Sequence, residues 1–289
     1  MKKIFVAGLI CATAVLHADL AVKDGEKVAF LGDSITLFGN RPDGYVRLVE
    51  SGLKKAGCKI VVIPAGVSGS QSRNMLKRTP GVLAKKPDWL LISCGVNDVG
   101  NPKSKVDLEE YKKNISAILD QAKSAGVKVM LLTPTLYGED VQGKYNQKLV
   151  GYADFLREQA AARKLLLADA SKTFREAVQN CRRKEKHKFT VDGLHLNGYG
   201  NQLLARTVLG AFGMKEQMLD QLTKEWNEIP SMMPLTNKWH DPAYLVTIPE
   251  YELLYDEAAR CKKTVYEYSL DVIRNHAAEL KRRKASGKD

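Results

Sequence analysis

A serine, an aspartate and a histidine in this chain have the types and the spacing needed for nucleophilic catalysis. Ser34 ends the run Gly32-Asp33-Ser34, and Asp192 precedes His195 by three residues in a loop. A serine hydroxyl is a poor nucleophile until a base removes its proton, and His195 is the candidate base. Asp192 can fold back on the imidazole, select its tautomer and stabilise the imidazolium that forms. His187 is the competing base, but it lies in a lysine-rich segment and lacks a comparable carboxylate partner.

Buried strands alternate with amphipathic helices along most of the chain. Four apolar residues, Val28 to Leu31, predict a first strand that is buried on both faces and runs into the Gly-Asp-Ser corner. Further strands are predicted at residues 59–63, 89–94, 127–133 and 165–168, and helices at 45–57, 72–83, 107–125, 145–163, 171–183 and 198–213. The helix at 72–83 is expected to bend or break at Pro80-Gly81, and residues 64–69 are expected to form a loop. The alternation predicts a parallel sheet with helices on both faces.

The strand ends decide which side chains can meet. In a parallel sheet with right-handed crossovers, all carboxyl ends lie on one edge, where ligands bind. Ser34, Gly66 and Asn97 are each expected just past a strand end. Asp192 and His195 follow the helix after the fifth strand and can reach the same edge. The sequence therefore predicts one site at this edge.

Four short blocks carry a family resemblance. Gly32-Asp33-Ser34, the small-residue loop around Gly66, Gly95-Val96-Asn97-Asp98 and Asp192-Gly-Leu-His195 occur in the order typical of SGNH (GDSL-type) hydrolases, which residues 27–213 resemble. Each block alone is common, whereas four in order, at strand ends or in a late loop, are specific. The resemblance implies an α/β fold of three layers, α/β/α, with a flavodoxin-like five-stranded parallel sheet and a C-terminal helical extension.

The resemblance also implies roles for the residues of these blocks. Ser34 is the nucleophile of a Ser-His-Asp triad, and the backbone N–H groups of Ser34 and Gly66 and the side-chain amide of Asn97 form the oxyanion hole. These residue types fit the task, because glycine lets a backbone N–H approach closely and a neutral amide donates without changing the charge at the histidine. Asp33 and Asp98 brace the loops, and neither a metal nor a cofactor is needed.

Signatures of other enzyme classes are absent from the sequence. Gly-x-Ser-x-Gly does not occur around Ser34, which argues against an ordinary α/β-hydrolase. Neither Gly-x-Gly-x-x-Gly nor His-Glu-x-x-His occurs, so a dinucleotide site and a metalloprotease both lack their main support. Cys58, Cys94, Cys181 and Cys261 show no Cys-x-x-Cys spacing, which disfavours a metal knuckle. Cys94 lies in a strand pattern and is expected to be a buried free thiol, while the disulfide status of the others stays open.

Together with the resemblance, these observations predict a secreted serine esterase for a short acyl ester. An acetyl group on a carbohydrate is the favoured substrate, because exported members of the family that the chain resembles are often carbohydrate deacetylases. Residues 135–143, Thr-Leu-Tyr-Gly-Glu-Asp-Val-Gln-Gly, contain no long apolar run that could cover a fatty chain. One alternative is a lysophospholipase or thioesterase that uses the same residues. Another is a non-catalytic glycan-binding protein that retains the fold. The dependence of the hydrolysis rate on acyl-chain length distinguishes the first alternative from a deacetylase. Hydrolysis that depends on Ser34 excludes the second alternative.

The N-terminus predicts export. Lys2 and Lys3 precede the apolar run from Ile4 to Leu16, and residues 1–18 are typical of a signal peptide cleaved after Ala18. The run is too short for a stable membrane span, so a periplasmic or extracellular protein without membrane insertion is predicted. Loss of both lysines lowers the formal net charge from +12 to +10. The basic cluster at 182–186 is either a solvated helix face or a contact for an acidic glycan or anionic surface, and no nucleic-acid motif accompanies it.

Residues 214–289 form an extension beyond the predicted catalytic domain of residues 19–213. A segment rich in proline and tryptophan comes first, and a charged helix is predicted at about 249–284. Trp239-His240-Asp241 is interpreted as a packed tryptophan beside an exposed turn rather than a metal or substrate contact. The extension is expected to wrap the catalytic domain or to form an oligomer contact.

Overall fold

A parallel sheet lies at the centre of the computed structural model, which describes residues 20–100, 105–182, 188–229, 232 and 246–285. Its strands are β1 (Lys27–Gly32), β2 (Val61–Gly66), β3 (Trp89–Ser93), β4 (Lys128–Leu132) and β5 (Leu166–Ala168). Their order is β2-β1-β3-β4-β5, and every neighbouring pair is parallel. The predicted five-stranded parallel sheet is confirmed.

Helices cover both faces of this sheet. One face carries α1 (Ser34–Gly39), α2 (Tyr45–Lys55), α7 (Ala170–Asn180), α8 (Gly198–Ala211) and α9 (Glu216–Asn227). The other face carries α3 (Ser72–Leu83), α5 (Leu108–Ser124) and α6 (Lys144–Arg163). The remaining helices are α4 (Val96–Gly100), α10 (Ile248–Arg260) and α11 (Val265–Ala285). The three-layer α/β/α architecture is therefore confirmed.

The residues of β1 show why two layers of helices are needed. Val28 and Phe30 point into the core shared with α2, α8 and α9, whereas Ala29 and Leu31 point into the core shared with α3, α5 and α6. None of the four is more than 1% exposed. Side chains alternate between the two faces of a strand, so an uninterrupted apolar run is stable only when both faces are covered.

The prediction for the second strand was wrong in its bounds. β2 begins at Val61 and continues through Pro64 to Gly66, in register with Gly32 of β1, although residues 64–69 had been assigned to a loop. Proline cannot donate to a strand ladder and is tolerated only on edge strands or at bulges. Because β2 is the edge strand, Pro64 costs no inner hydrogen bond.

Two short helices at strand ends were not predicted. Ser34 is the first residue of α1, and Asn97 is the second residue of α4, so both lie in helical turns rather than in open loops. The helix that was expected to bend or break at Pro80 is one continuous segment in α3. Pro80 stands at the start of the last turn of that helix, so its missing N–H removes one hydrogen bond near the helix end without dividing the segment.

The predicted charged helix at 249–284 is two helices. Lys262 has a φ of 57°, which ends α10 in a left-handed turn. Thr264 then starts α11 with a reciprocal cap, because its hydroxyl accepts from the Glu267 amide while its own amide donates to the Glu267 carboxylate. This local capping outweighs the helical periodicity that runs through the break.

Residues beyond 213 include a helix of the main core. Leu219, Leu222 and Trp226 of α9 are buried against the sheet face that holds α2 and α8, and the Trp226 Nε1 donates to the Ser51 hydroxyl at 3.3 Å. The division of the chain after residue 213 stays a prediction. The proposed leader, residues 183–186 of the basic cluster, His187 and Trp239-His240-Asp241 lie outside the described residues.

Cys58, Cys94, Cys181 and Cys261 are all free thiols. Cys94 is buried, which confirms the prediction made for it. No helix in the described part of the chain is long and apolar enough to cross a membrane.

Candidate active site

Ser34 lies where β1 turns into α1. Asp33 is the N-cap of α1, and its Oδ1 accepts a hydrogen bond from the Ile35 amide at 2.9 Å. Gly32 packs so closely on Thr36 that a Cβ would lie 2.0 Å from the threonine hydroxyl oxygen. This tight corner places Ser34 at the carboxyl edge of the sheet, in the first turn of a helix.

The loop that carries Asp192 and His195 is closed by its own backbone. Thr190 and Leu196 form an antiparallel bridge, and the Val191 amide donates to the His195 carbonyl at 2.7 Å. Gly193 between them has a φ of 91°, a left-handed conformation that favours glycine. The turn folds Asp192 back under the imidazole, as the spacing of three residues had suggested.

An unbroken chain of polar contacts joins the three predicted triad residues. His195 Nε2 lies 2.9 Å from Ser34 Oγ, and His195 Nδ1 lies 2.6 Å from Asp192 Oδ2. When Nδ1 donates to the carboxylate, Nε2 is left as an acceptor for the serine hydroxyl proton. The arrangement can therefore transfer a proton from the hydroxyl to the imidazole.

Asp192 is held as a carboxylate. Its Oδ1 accepts hydrogen bonds from the backbone amides of Leu194 and His195 at 2.9 and 2.8 Å. Partial burial alone would raise the pKa of Asp192, but hydrogen bonds from the His195 ring and from these amides together lower it. The side chain thus keeps the charge that stabilises an imidazolium.

Gly66 and Asn97 flank the serine at neighbouring strand ends. Gly66 packs against α1 so tightly that a Cβ would lie 2.3 Å from the Leu37 nitrogen. Asn97 Nδ2 donates to Asp33 Oδ2 and to the Ser70 carbonyl, both at 3.2 Å. Both amide hydrogens have protein acceptors at these long distances, so donation to a substrate oxygen requires one hydrogen to be shared between two acceptors.

Two buried carboxyl groups tie the loops around the serine. Asp33 is 1% exposed, and burial raises its pKa to about 6 although the Ile35 amide opposes the shift. Burial also raises the pKa of Asp98, which accepts from the Ser72 amide and hydroxyl at 3.0 and 2.5 Å. Through these bonds Asp33 connects α1 to Asn97, and Asp98 connects α4 to the start of α3.

An aromatic side chain borders the imidazole. The rings of Phe38 and His195 have centroids 5.1 Å apart and are tilted by 59°, and the Arg41 guanidinium carbon lies 4.4 Å from the Phe38 centroid. Leu37 and Val67 are exposed beside Gly66. Phe38 therefore forms part of the surface next to the histidine.

Sequence reasoning missed the anchor of the histidine loop. Glu139 Oε1 accepts from the amides of Phe189 and Thr190 at 2.9 Å and from the Thr190 hydroxyl at 2.6 Å. Glu139 Oε2 accepts from the Lys188 amide at 2.7 Å. No sequence signal could have identified this carboxylate, because its partners are about fifty residues away and contribute mainly backbone groups.

Arg78 was missed as well. Its guanidinium donates to the carbonyls of Ala65 and Gly32 at 2.7 and 3.0 Å. In the sequence it is one basic residue of a polar helix.

Among the described residues, no group of three or more His, Cys, Asp or Glu side chains could hold a metal ion.

Comparison with known proteins identifies the family of this chain. The model of the GDSL-like lipase/acylhydrolase family matches residues 30–203. An acetylxylan esterase from Geobacillus stearothermophilus is 26% identical over 219 residues, which cover 68% of this chain and 98% of that protein. The isoamyl acetate-hydrolyzing esterase 1 homolog of Mus musculus is 26% identical over 229 residues, which cover 72% of this chain and 90% of that protein.

Solved structures give the same result. The crystal structure of the acetyl xylan esterase AlAXEase aligns with a TM-score of 0.60 at 30% identity, and the alignment covers 64% of this chain and 98% of that one. A family match over more than half of the chain, together with the shared fold, establishes membership. The chain therefore belongs to the GDSL-like lipase/acylhydrolase family and is a carboxylic ester hydrolase.

Proposed function

We propose that this esterase uses Ser34 as nucleophile, His195 as general base and acid, and Asp192 as the group that orients and stabilises the imidazolium. The observation that carries the proposal is the continuous contact from Ser34 Oγ through the two ring nitrogens to the Asp192 carboxylate. The backbone N–H groups of Ser34 and Gly66 and the Asn97 amide serve as oxyanion donors. Gly66 ends β2, and Ser34 and Asn97 lie in the short helices that follow β1 and β3 at the same edge of the sheet.

In the first half of the reaction Ser34 is acylated. The hydroxyl proton passes to His195 Nε2 while Oγ bonds to the ester carbonyl carbon, and the carbonyl oxygen becomes an oxyanion. The oxyanion donors stabilise this tetrahedral intermediate. His195 then gives its proton to the leaving alcohol oxygen, the carbon–oxygen bond of the ester breaks, and the acyl group remains on Ser34.

In the second half water removes the acyl group. His195 accepts a proton from water as the water oxygen bonds to the acyl carbon, and the same donors hold the oxyanion. Collapse of the intermediate breaks the bond between the acyl carbon and Ser34 Oγ, the imidazolium returns its proton to that oxygen, and the carboxylic acid is released. The cycle needs no further reactant.

The substrate we propose is a short acyl ester, with acetyl on a carbohydrate as the leading candidate. The two relatives above are named for acetate esters of different alcohols, which supports the acetyl group more strongly than the sugar. The loop after β4 is tied down, because the Asn146 side chain bonds the Tyr137 amide at 2.8 Å and the Asp140 carbonyl at 2.7 Å. A loop held in this way offers no apolar lid for a long acyl chain.

We also propose export with residues 1–18 as the leader, a catalytic domain over 19–213 and an extension over 214–289. The basic N-terminus and its apolar run support the leader. Expression with and without residues 1–18, followed by N-terminal sequencing of the secreted protein, tests this assignment. A product that starts at Asp19 would support it, and retention of the intact N-terminus would contradict it.

The decisive experiment is hydrolysis of p-nitrophenyl acetate, butyrate and octanoate by the parent protein and by Ser34→Ala. We expect activity to fall from acetate to octanoate and to disappear in the variant, after which acetylated xylo-oligosaccharides and other acetylated sugars are compared. Preference for octanoate would favour a lysophospholipase or thioesterase. Activity equal to that of the variant on every ester and sugar would contradict the proposed mechanism and favour glycan binding without catalysis.

A further inference from the structure

Arg78 reaches from α3 to the three segments that surround the proposed oxyanion hole. Its Nη1 donates to the Ala65 carbonyl at 2.7 Å, and its Nη2 donates to the Gly32 carbonyl at 3.0 Å and to the Ser70 hydroxyl at 3.2 Å. Ala65 and Gly32 are the residues immediately before Gly66 and Asp33, at the ends of β2 and β1. A planar guanidinium can satisfy several acceptors at once in a fixed geometry.

The bond to Ala65 acts on the peptide that carries the Gly66 N–H. A trans peptide is planar, so its C=O and N–H point in opposite directions and cannot turn independently. The described chain contains no cis peptide. By holding the Ala65 oxygen on one side, Arg78 sets the direction in which the Gly66 N–H points on the other.

The charge of Arg78 adds to this geometric effect. A cation on the carbonyl oxygen polarises the peptide and makes its N–H a stronger donor, as in other hydrogen-bond chains inside proteins. The polarised peptide does not need to reorient when negative charge develops on the substrate oxygen. Such preorganisation stabilises the transition state more than the bound ester.

The other two proposed donors are linked to the same guanidinium. Gly66 packs directly on the Leu37 backbone of α1, the helix that begins at Ser34. Ser70, whose hydroxyl accepts from Arg78, offers its carbonyl to the Asn97 amide. One side chain therefore connects the positions of all three donors.

We propose that Arg78 is a positioning residue of the oxyanion hole, which aligns and polarises the Ala65–Gly66 peptide through its bond to the Ala65 carbonyl. This inference rests on the proposed function, since Gly66 is an oxyanion donor only if Ser34 is the nucleophile. A purely structural Arg78 would hold the strand ends together without a specific effect on the transition state.

The test compares Arg78→Met and Arg78→Lys with Arg73→Met in the full chain. Arg73 is the matched control, because it lies on the same helix and also bonds a carbonyl, that of Lys105, and the Glu110 carboxylate. The first readout is kcat and KM for p-nitrophenyl acetate. The concentration of active sites that enters kcat is determined by titration with a fluorophosphonate. The second is the inhibition constant of an alkyl trifluoromethyl ketone, whose carbonyl carbon bonds to Ser34 Oγ to give a tetrahedral oxyanion.

We expect Arg78→Met to lower kcat by about 10- to 100-fold with KM changed by less than about threefold, because the lost interaction matters mainly in the transition state. The inhibition constant of the ketone should rise in proportion to the loss in kcat/KM. Arg78→Lys should recover part of kcat, and Arg73→Met should behave as the parent. Unchanged kcat per titrated site in Arg78→Met, or a loss of kcat with no change in ketone inhibition, would overturn the proposal.

A third readout separates this inference from the proposed function. The backbone amide resonances of Gly66 and Ser34 in an isotope-labelled protein report the Ala65–Gly66 peptide directly, whether or not the enzyme turns over the chosen ester. Shifts of the Gly66 resonance in Arg78→Lys that exceed those in Arg73→Met support the positioning role. An unshifted Gly66 resonance overturns it, whereas hydrolysis that does not depend on Ser34 overturns the proposed function.

Discussion

At the scale of single residues, Asp192 serves both its own loop and the histidine. One carboxylate oxygen accepts two backbone amides, and the other faces His195 Nδ1. In Asp192→Asn the one remaining oxygen can accept either from the two backbone amides or from Nδ1, and when it serves the amides the ring loses the partner that leaves Nε2 free as a base. We expect kcat/KM to fall by about 1,000- to 10,000-fold with little loss of folded protein.

The control for this prediction is Asp120→Asn, which changes a surface aspartate paired with Arg163 at 2.5 Å. Its kcat/KM for p-nitrophenyl acetate should equal that of the parent. Activity of Asp192→Asn within tenfold of the parent would mean that another group orients His195.

Asp33 predicts a pH dependence of stability. Its pKa is raised from an ordinary 3.8 to about 6 by burial, so the folded state binds the proton more tightly than the unfolded chain. The stabilisation from this proton is complete below about pH 4 and is lost as the pH rises through about 6. Asp33→Asn has no proton to lose, so the Tm of the parent should fall relative to that of the variant between pH 4 and about 7.

The same substitution should lower activity. An asparagine has one acceptor oxygen, which cannot serve both the Ile35 amide and the Asn97 amide that Asp33 now accepts. We expect kcat to fall while the helix cap is retained, because asparagine is also a good N-cap. Parallel Tm curves across the pH range would show that Asp33 titrates normally.

At the scale of elements, Glu139 joins the loop after β4 to the loop that carries the histidine. Four hydrogen bonds from residues 188–190 converge on its carboxylate. Glu139→Ala removes them all and should lower kcat by about tenfold or more, because a small misplacement of a catalytic group has a large effect on rate. The kcat of Glu139→Gln should lie between those of the parent and Glu139→Ala, since the glutamine amide nitrogen would face the Lys188 N–H.

Asp140→Ala is the neighbouring control, because its carboxylate caps the Gln142 amide within its own loop. The comparison uses kcat for p-nitrophenyl acetate and Tm for each variant. Equal kcat in Glu139→Ala and Asp140→Ala would show that the histidine loop keeps its position without this anchor.

At the scale of the whole molecule, the described helices beyond residue 213 differ in their burial: α9 belongs to the main core, whereas α10 and α11 join that core at Ile248 and form a small cluster of their own around Tyr251, Ala258 and Val265. The α9 side chains Leu219, Leu222 and Trp226 are buried in the main core, whereas α10 contacts the start of α8 through Tyr251 and Tyr199, with ring centroids 6.3 Å apart. Each large apolar side chain contributes about 1.5–3 kcal/mol on burial. The loss of all three contributions is comparable to the free energy of unfolding of many domains.

We therefore expect truncation after residue 213 to yield unstable or insoluble protein. Truncation after residue 229, which keeps α9, should leave a folded esterase with a modestly lower Tm. Thermal unfolding and ester hydrolysis of the two products check this. A stable, active product that ends at residue 213 would show that the catalytic domain folds without the packing of α9.

The sequence by itself was sufficient for the fold class and for the residues proposed to react. Apolar runs and helical periodicity are local signals, and they identified a five-stranded parallel sheet because strands buried on both faces leave few other arrangements. Asp192 and His195 are three residues apart, so their contact is also local. Because ligands bind at the carboxyl edge of a parallel sheet, Ser34 could be placed near these two residues without knowledge of the strand register.

Only the tertiary structure decided which side chains hold the site in place. The edge position of β2 let the strand run through Pro64, and local capping at Thr264 divided the last helix. Glu139 and Arg78 act on backbone groups of distant segments, and a backbone acceptor leaves no mark in the sequence that would identify its partner. The reacting residues have distinctive chemistry and spacing, whereas the residues that position them are defined by their place in the folded chain.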